Sequence, residues 1–287
     1  MTATTDGQLL HYTAFSSDPA GGNPAGVVLD ASALDDAAML AIAAELGYSE
    51  TAFLTAAAQG PERAYTVRYF SPLAEVPFCG HATVAAAVAL ADRIGPGELL
   101  FSTKAGPVPV SVTADADGLL SATLTSVEPD LYEVSPADVE TALGLLGWKA
   151  DELDPLLPPR VAYAGARHLV IAAADRARLA ALAYDFDGLA GFMLDRDLTT
   201  LQLVWREAAD TFHVRNPFPV GGVVEDPATG AAAAAFGHYL RTLGLVGPTA
   251  ALTLHQGDDL GRPSLLGVEL RSGDPRVRVT GAAVSIP

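Results

Sequence analysis

Phe78-Cys79-Gly80-His81-Ala82-Thr83-Val84-Ala85-Ala86-Ala87-Val88-Ala89-Leu90-Ala91 decides how this chain folds. Every residue from Val84 to Ala91 is apolar, so a helix there has no face for water and must be buried all round. A second such helix runs from Ala231 to Leu240, behind Glu225-Asp226-Pro227-Ala228-Thr229-Gly230, and stays without a polar stripe until its last turn. Both are far too short to span a bilayer, so each belongs inside a protein core. The start of a buried helix leaves N–H groups without intrahelical partners, at the positive end of the dipole. Two such starts suit a small anion such as a carboxylate.

Composition narrows the function classes. With 287 residues, half of them hydrophobic, the chain has material for two ordinary domains and a real core. A net charge of −17 argues against nucleic acid or an anionic membrane as partner, and the acids are spread as on a solvated surface. The single cysteine excludes an intrachain disulfide and fits a reducing cytosol. Met1 to Gln8 lacks the basic-then-apolar pattern of a secretion signal. No apolar run of about 18 residues offers a membrane span. The expectation is a soluble cytoplasmic protein.

Working outward from the two helices, the chain reads as a duplication. Strands are predicted at Leu9–Phe15, Ala25–Leu29, Thr51–Thr55 and Tyr65–Phe70, with a helix at Asp35–Leu46 opened by Ser32 at capping-box-like spacing and stopped by Gly47. Short β segments fill Glu98 to Thr125, and Ser135-Pro136 opens a helix that ends near Gly147. Asp151 to Pro159, with three prolines in nine residues, is the expected linker. It divides an N-terminal half, residues 1–150, from a C-terminal half, residues 160–287. In the second half Arg167–Ile171 parallels Ala25–Leu29, and a helix at Asp175–Ala183 parallels Asp35–Leu46. Tyr65-Thr66-Val67-Arg68 is echoed by Thr211-Phe212-His213-Val214-Arg215, each before its buried helix. Strands at Ala251–His255, Leu265–Arg271 and Val277–Val284 complete the second half. The predicted fold class is α/β, two equivalent halves with a cleft between them, each a curved sheet around one central buried helix.

Most cofactor chemistry lacks its signature. Six histidines are scattered singly, without metal-ligand spacing or a nearby thiol pair, so no metal is expected. The only lysines, Lys104 and Lys149, sit in no glycine-rich phosphate cradle, which speaks against pyridoxal phosphate. Gly-x-Gly-x-x-Gly after a strand and Gly-x-Ser-x-Gly are both missing. Cofactor-free acid–base chemistry is left. Glu50, in Gly47-Tyr48-Ser49-Glu50-Thr51-Ala52-Phe53-Leu54, has apolar neighbours able to desolvate it and raise its pKa, though the residues alone favour an ordinary surface acid just past a helix end. His81 is either a proton shuttle or a ring completing a helix start. Asp226 suits the helix dipole in any case. Cys79 sits where a thiolate is favoured, and a lone buried cysteine also serves as plain filler.

Gly22-Asn23-Pro24-Ala25-Gly26-Val27-Val28, Ser49-Glu50-Thr51-Ala52-Phe53, Phe70-Ser71-Pro72, Val76-Pro77-Phe78-Cys79-Gly80-His81-Ala82-Thr83, Glu225–Gly230, Gln256-Gly257 and Gly261-Arg262-Pro263-Ser264 occur in this order over nearly the whole chain. Together they resemble the phenazine-biosynthesis PhzF-like family. The resemblance implies the diaminopimelate-epimerase-like fold, a homodimer, and a proton-shift isomerisation of a cyclic dihydro-hydroxyanthranilate without metal or cofactor. It places the catalytic glutamate on Glu50, the active-site histidine on His81 and the aspartate on Asp226. Carboxylate-binding backbone groups fall on Gly80 and Gly230, and Asn23, Cys79 and Ala231 join the substrate-binding positions. The family's phenazine-making enzymes carry serine where this chain has Ala231, which removes one donor and points to another carboxylate.

The expected activity is a cofactor-free isomerase shifting a proton on a small cyclic carboxylate, with Glu50 as general acid/base. Two alternatives stay open. One is an epimerase or racemase independent of metal and pyridoxal phosphate; the second half offers no second cysteine, only Asp226-Pro227-Ala228. The other is a binding protein for small carboxylates that has lost the chemistry.

Overall fold

The computed structural model describes residues 9–57 and 62–287. Met1 to Gln8, where the absence of a secretion signal was read, lie outside the described residues. The elements in chain order are β1 (Leu9–Ala14), β2 (Asn23–Val28), α1 (Asp36–Leu46), β3 (Glu50–Ala56), β4 (Ala64–Phe70), β5 (Glu75–Val76), α2 (Gly80–Ile94), β6 (Gly97–Thr103), β7 (Gly106–Ala114) and β8 (Leu120–Thr125). There follow β9 (Asp130–Tyr132), α3 (Pro136–Leu146), β10 (Arg160–Tyr163), β11 (Arg167–Ala172), α4 (Arg176–Ala180), α5 (Phe186–Leu194), β12 (Thr200–Arg206), β13 (Thr211–Phe218) and β14 (Val223–Asp226). The last elements are α6 (Gly230–Thr242), β15 (Ala250–Gln256), β16 (Ser264–Leu270) and β17 (Val277–Ser285).

The chain forms two compact units, one of residues up to Val127 plus Thr280–Pro287, the other Glu128–Val279. The division falls after β8 rather than at Asp151–Pro159. That segment is tied into the second unit, where Leu153 bridges Ala173 and the N–H of Asp154 bonds the carbonyl of Ala172. The last strand returns to the first unit, which is therefore built from two separate pieces of chain, whereas the second is one continuous stretch.

In the first unit β1, β2, β3, β4, β6, β7, β8 and β17 pair in a ring, a closed eight-stranded barrel. The bore of such a barrel is ordinarily filled by side chains alone. Here it holds α2, which packs on β1, β2, β3, β7 and β8, and whose residues from Gly80 to Ala91 are all buried. Only a helix with small side chains fits there, which is the physical reason for the alanines. The outer face of β3 and β4 is covered by α1, with Met39 and Ala43 against Val28, Phe53 and Phe70.

The second unit repeats this order of pairing. β10/β11 is antiparallel, β11/β12 parallel, β12/β13 antiparallel, β13/β15 parallel and β15/β16 antiparallel. The sequence β1/β2, β2/β3, β3/β4, β4/β6, β6/β7 has the same alternation. α6 packs on β9, β10, β11, β12 and β16 and is buried over most of its length. Leu169, Ile171, Leu201 and Leu203 face the other way, into a core with α3 and α5.

Several local readings shift. Both central helices begin earlier than their apolar runs, at Gly80 and Gly230, so His81 and Ala231 lie in first turns. Asp35, not Ser32, caps α1, its carboxylate accepting from the N–H of Ala38 at 2.8 Å. The helix expected over Asp175–Ala183 is the short α4, followed by a separate α5 capped by Asp185. α3 starts on its Ser135 cap and ends at Gly147 in the left-handed region, φ 65°, as its sequence dictates.

Candidate active site

Gly47 closes α1 with φ 66° and turns the chain straight into β3, whose first residue is Glu50. Glu50 lies beside Ala25 of β2 in the parallel ladder. Its side chain points toward the start of α2, where Cys79 is the N-cap in extended geometry and offers no side-chain cap. Tyr69 steadies this end of the helix: its hydroxyl and that of Thr83 are 2.6 Å apart, and Thr83 Oγ1 donates to the carbonyl of Cys79 at 2.6 Å.

Four side chains meet there. His81 Nε2 is 3.4 Å from Glu50 Oε2 and 3.3 Å from Ser49 Oγ. Cys79 Sγ is 3.3 Å from His81 Nδ1. Glu50 and Cys79 are each 7 % exposed and His81 3 %. Burial raises the Glu50 pKa above the usual carboxylate range, and hydrogen bonds from Ser49 and Cys79 oppose that rise in part. Burial alone lowers His81 to about 3, so its ring is neutral at physiological pH. The cluster thus has a carboxyl group poised to hold or release a proton, beside a neutral imidazole, a hydroxyl and a thiol through which protons can pass.

In the second unit, Asp226 ends β14 and Thr229 is the N-cap of α6. Thr229 Oγ1 donates to Asp226 Oδ2 at 2.6 Å. Gln256 pins the loop from both sides: its Oε1 accepts from the N–H of Thr229 at 3.0 Å and its Nε2 donates to the carbonyl of Asp226 at 2.8 Å. Gly257 next to it has φ 77°, and a Cβ there would lie 2.8 Å from the carbonyl oxygen of Pro227. Only glycine lets β15 run this close to the loop. Beneath β13 and β14, Arg215 makes two bonds to Glu225, at 2.9 and 2.5 Å. Arg68 makes the same fork to Glu75 in the first unit, at 2.8 and 2.6 Å, and holds its carboxyl down to about 2.

The structure brings Glu50, Cys79 and His81 into one cluster and puts Gly80 at its helix start. Asp226, Gly230 and Ala231 lie in the loop and first turn of α6. Asn23 is buried at the start of β2, following Gly22, whose φ of 65° and tight approach to Ala14 exclude a side chain. Sequence reasoning missed Ser49 and Thr229 as partners and gave no role to Gln256. It also missed a buried polar set in the second unit. His168 Nδ1 lies 2.8 Å from Thr200 Oγ1, and Asn216 Nδ2 donates to Thr200 Oγ1 at 2.9 Å and Gln202 Oε1 at 2.7 Å. All four residues are at most 1 % exposed. The signal was present in Thr200-Leu201-Gln202-Leu203, where polar residues alternate with leucines on a strand.

Residues 12–286 match the sequence profile of the PhzC-PhzF family, the phenazine biosynthesis-like proteins. The chain belongs to the PhzF family. It is 35 % identical to the isomerase YddE of Escherichia coli O157:H7, over 96 % of this chain and 95 % of that protein. It is 29 % identical to trans-2,3-dihydro-3-hydroxyanthranilate isomerase of Pseudomonas aeruginosa, over 92 % of this chain and 90 % of that protein. Among solved structures, a predicted epimerase of Pseudomonas aeruginosa matches with a TM-score of 0.86 and 27 % identity, covering 98 % of this chain and 97 % of that one. A hydroxyproline epimerase of Agrobacterium vitis shares the fold, with a TM-score of 0.66 at 13 % identity over 97 % of this chain and 88 % of that one. This PhzF-family protein is accordingly an enzyme of the isomerase or epimerase class. Among the described residues no helix is long and apolar enough to cross a membrane.

Proposed function

We propose that this PhzF-family isomerase moves a proton on a small cyclic carboxylate, with Glu50 as the group that takes and returns it. One observation carries the reading: a carboxyl group raised by burial stands beside a neutral imidazole at an uncapped helix start. In the forward step the Glu50 carboxylate removes a proton from an activated carbon, leaving the electron pair delocalised into the substrate's π system. The same carboxyl group then delivers that proton to a second carbon, so atoms and charge balance without an external oxidant or reductant. N–H groups near Gly80, at the positive end of α2, stabilise the negative charge as it develops. His81 stays neutral and holds Glu50 in place by hydrogen bonding.

A cyclic carboxylate is favoured by the likeness to the Pseudomonas aeruginosa trans-2,3-dihydro-3-hydroxyanthranilate isomerase, and Ala231, where the family resemblance implies serine, favours a carboxylate other than that one. Roles for Asp226, Gly230, Ala231 and Asn23 in binding or proton transfer rest on the likeness of their motifs, as does a cytoplasmic homodimer. Light scattering tests the dimer.

The test is a thermal-shift screen of cyclic and amino-acid carboxylates, followed by deuterium uptake from heavy water on the compounds that bind. Wild type is expected to incorporate deuterium. Glu50→Gln is expected to bind with similar affinity and incorporate none. Retained exchange in that variant would exclude Glu50 as the proton carrier. Exchange at a single carbon with inversion would mark an epimerase instead.

A further inference from the structure

We infer that Gln256 and Thr229 are positioning residues that hold the Asp226 carboxylate in one orientation, with Oδ2 fixed as an acceptor, for the reaction proposed above. Its use in turnover rests on that reading. The hold on Asp226 does not, and it can be tested without substrate.

Hydrogen-bond direction carries the argument, and backbone groups set it. The N–H of Thr229 can only donate, and it donates to Gln256 Oε1 at 3.0 Å. The carbonyl of Asp226 can only accept, and it accepts from Gln256 Nε2 at 2.8 Å. The two ends of the Gln256 amide are thus told apart by partners that cannot exchange roles. The second hydrogen on Nε2 is directed at Thr229 Oγ1, 3.0 Å away. With its oxygen already accepting, the Thr229 hydroxyl places its one hydrogen on Asp226 Oδ2, at 2.6 Å. That length is typical of a hydroxyl on an ionised carboxylate, about 2.5–2.7 Å. The relay runs one way, from Gln256 through Thr229 to Asp226, so a proton that Asp226 takes up or gives belongs to Oδ1. Gln256 is 1 % exposed and Asp226 5 %, and these low-dielectric surroundings strengthen each bond.

The fold itself does not require the relay. In the first unit Tyr69 pairs with Val76 and Phe70 with Glu75; in the second Asn216 pairs with Asp226 and Pro217 with Glu225. Val76 therefore stands where the second unit has Asp226, and the helix cap Cys79 where it has Thr229. The parallel ladders, Thr66 beside Ser102 and His213 beside His255, put Thr103 in the place of Gln256. Thr103 Oγ1 donates to the carbonyl of Gly106, within its own hairpin. The first unit thus builds the same hairpin and the same buried helix start without the three polar residues. Their bonds in the second unit converge on one carboxylate, which the hairpin does not need and an acid–base reaction does.

The experiment uses the full-length protein carrying 13C at aspartate Cγ, with the Asp226 signal identified by its loss in Asp226→Asn. Thr229→Val removes the hydroxyl and leaves both backbone bonds of Gln256 in place; circular dichroism and the melting temperature check that it folds. The pH midpoint of the Asp226 signal is expected to rise by about one unit or more in Thr229→Val, because the lost bond favoured the charged form. Thr229→Ser keeps a hydroxyl and is expected to bring the midpoint back. No rise in Thr229→Val, or an equal rise in Thr229→Ser, overturns the proposal. For turnover, the probe is the carboxylate that exchanges deuterium fastest in the screen above. Thr229→Val should lower its kcat for exchange at least about tenfold with KM held within about twofold, and Thr229→Ser should recover it. A normal kcat in a Thr229→Val protein whose midpoint has risen overturns the positioning role. Retained exchange in Glu50→Gln sinks Glu50 as the proton carrier and leaves the relay standing. If wild type exchanges no carboxylate, the proton-shift reading fails and the titration alone decides the relay.

Discussion

Thr200 occupies in the second unit the place that Glu50 occupies in the first. Each lies three residues before the strand partner of an equivalent arginine: Phe53 faces Arg68, and Leu203 faces Arg215. Each has its neighbour in the adjoining parallel strand, Ala25 beside Glu50 and His168 beside Thr200. The duplicated scaffold thus carries an ionisable carboxyl group in one unit and a neutral hydrogen-bonded hydroxyl in the other. Cys79 and Thr229, the two helix caps, differ in the same sense.

The raised pKa of Glu50 sets the expected pH dependence of turnover. A base must be deprotonated, so kcat/KM should rise with pH through the Glu50 pKa in the free enzyme, above the usual carboxylate range. His81, at about 3, is neutral throughout and adds no limb near pH 6.5. A pH–rate profile checks this, and an acidic limb at or below about 4.3, the ordinary glutamate value, would contradict it.

The buried polar set should make stability acid-sensitive. Burial lowers His168 to about 3, whereas in the unfolded chain it titrates at about 6.5. Between those values the unfolded state holds a proton that the folded state does not, so stability falls as pH falls. The slope from this one residue approaches about 1.4 kcal/mol per pH unit. Urea denaturation at a series of pH values should show His168→Gln losing that part of the slope.

Asn216 donates to both Thr200 and Gln202, so Asn216→Leu strands Gln202 Oε1 and leaves Thr200 Oγ1 with His168 alone. At about 1–3 kcal/mol for a buried group left unpaired, the expected loss is about 1–3 kcal/mol. An unchanged denaturation midpoint would show that the network contributes nothing.

The Arg215–Glu225 pair is buried, with side chains 9 % and 1 % exposed. Glu225→Gln leaves the guanidinium with only the more distant Asp259, 3.8 Å away, as counter-charge and should cost about 3 kcal/mol. Asp36, whose side chain is 79 % exposed in its pair with Arg68, should be replaceable by Asn with no measurable change in melting temperature.

Ala86, fully buried in α2, tests the fit of helix to barrel. Ala86→Leu adds volume where the wall cannot retreat and should destabilise by about 1–3 kcal/mol or more, seen as a lower melting temperature. A neutral result would mean the bore is looser than the packing shows.

The all-apolar helices, the paired motifs around Arg68 and Arg215, and the family motifs were enough to determine the α/β class, the duplication and the identity of Glu50 and His81 as residues of interest. Those features are local, since periodicity and caps depend on neighbours a few residues apart. Tertiary structure alone decided the rest. Closure of the first barrel depends on β17 returning from the far end of the chain, a pairing no local pattern encodes. Whether Glu50 was a surface acid or a buried one turned on Cys79 and His81 arriving from α2, and its raised pKa is a property of that enclosure. The Thr200 network, likewise, exists only because three strands are laid side by side in one register.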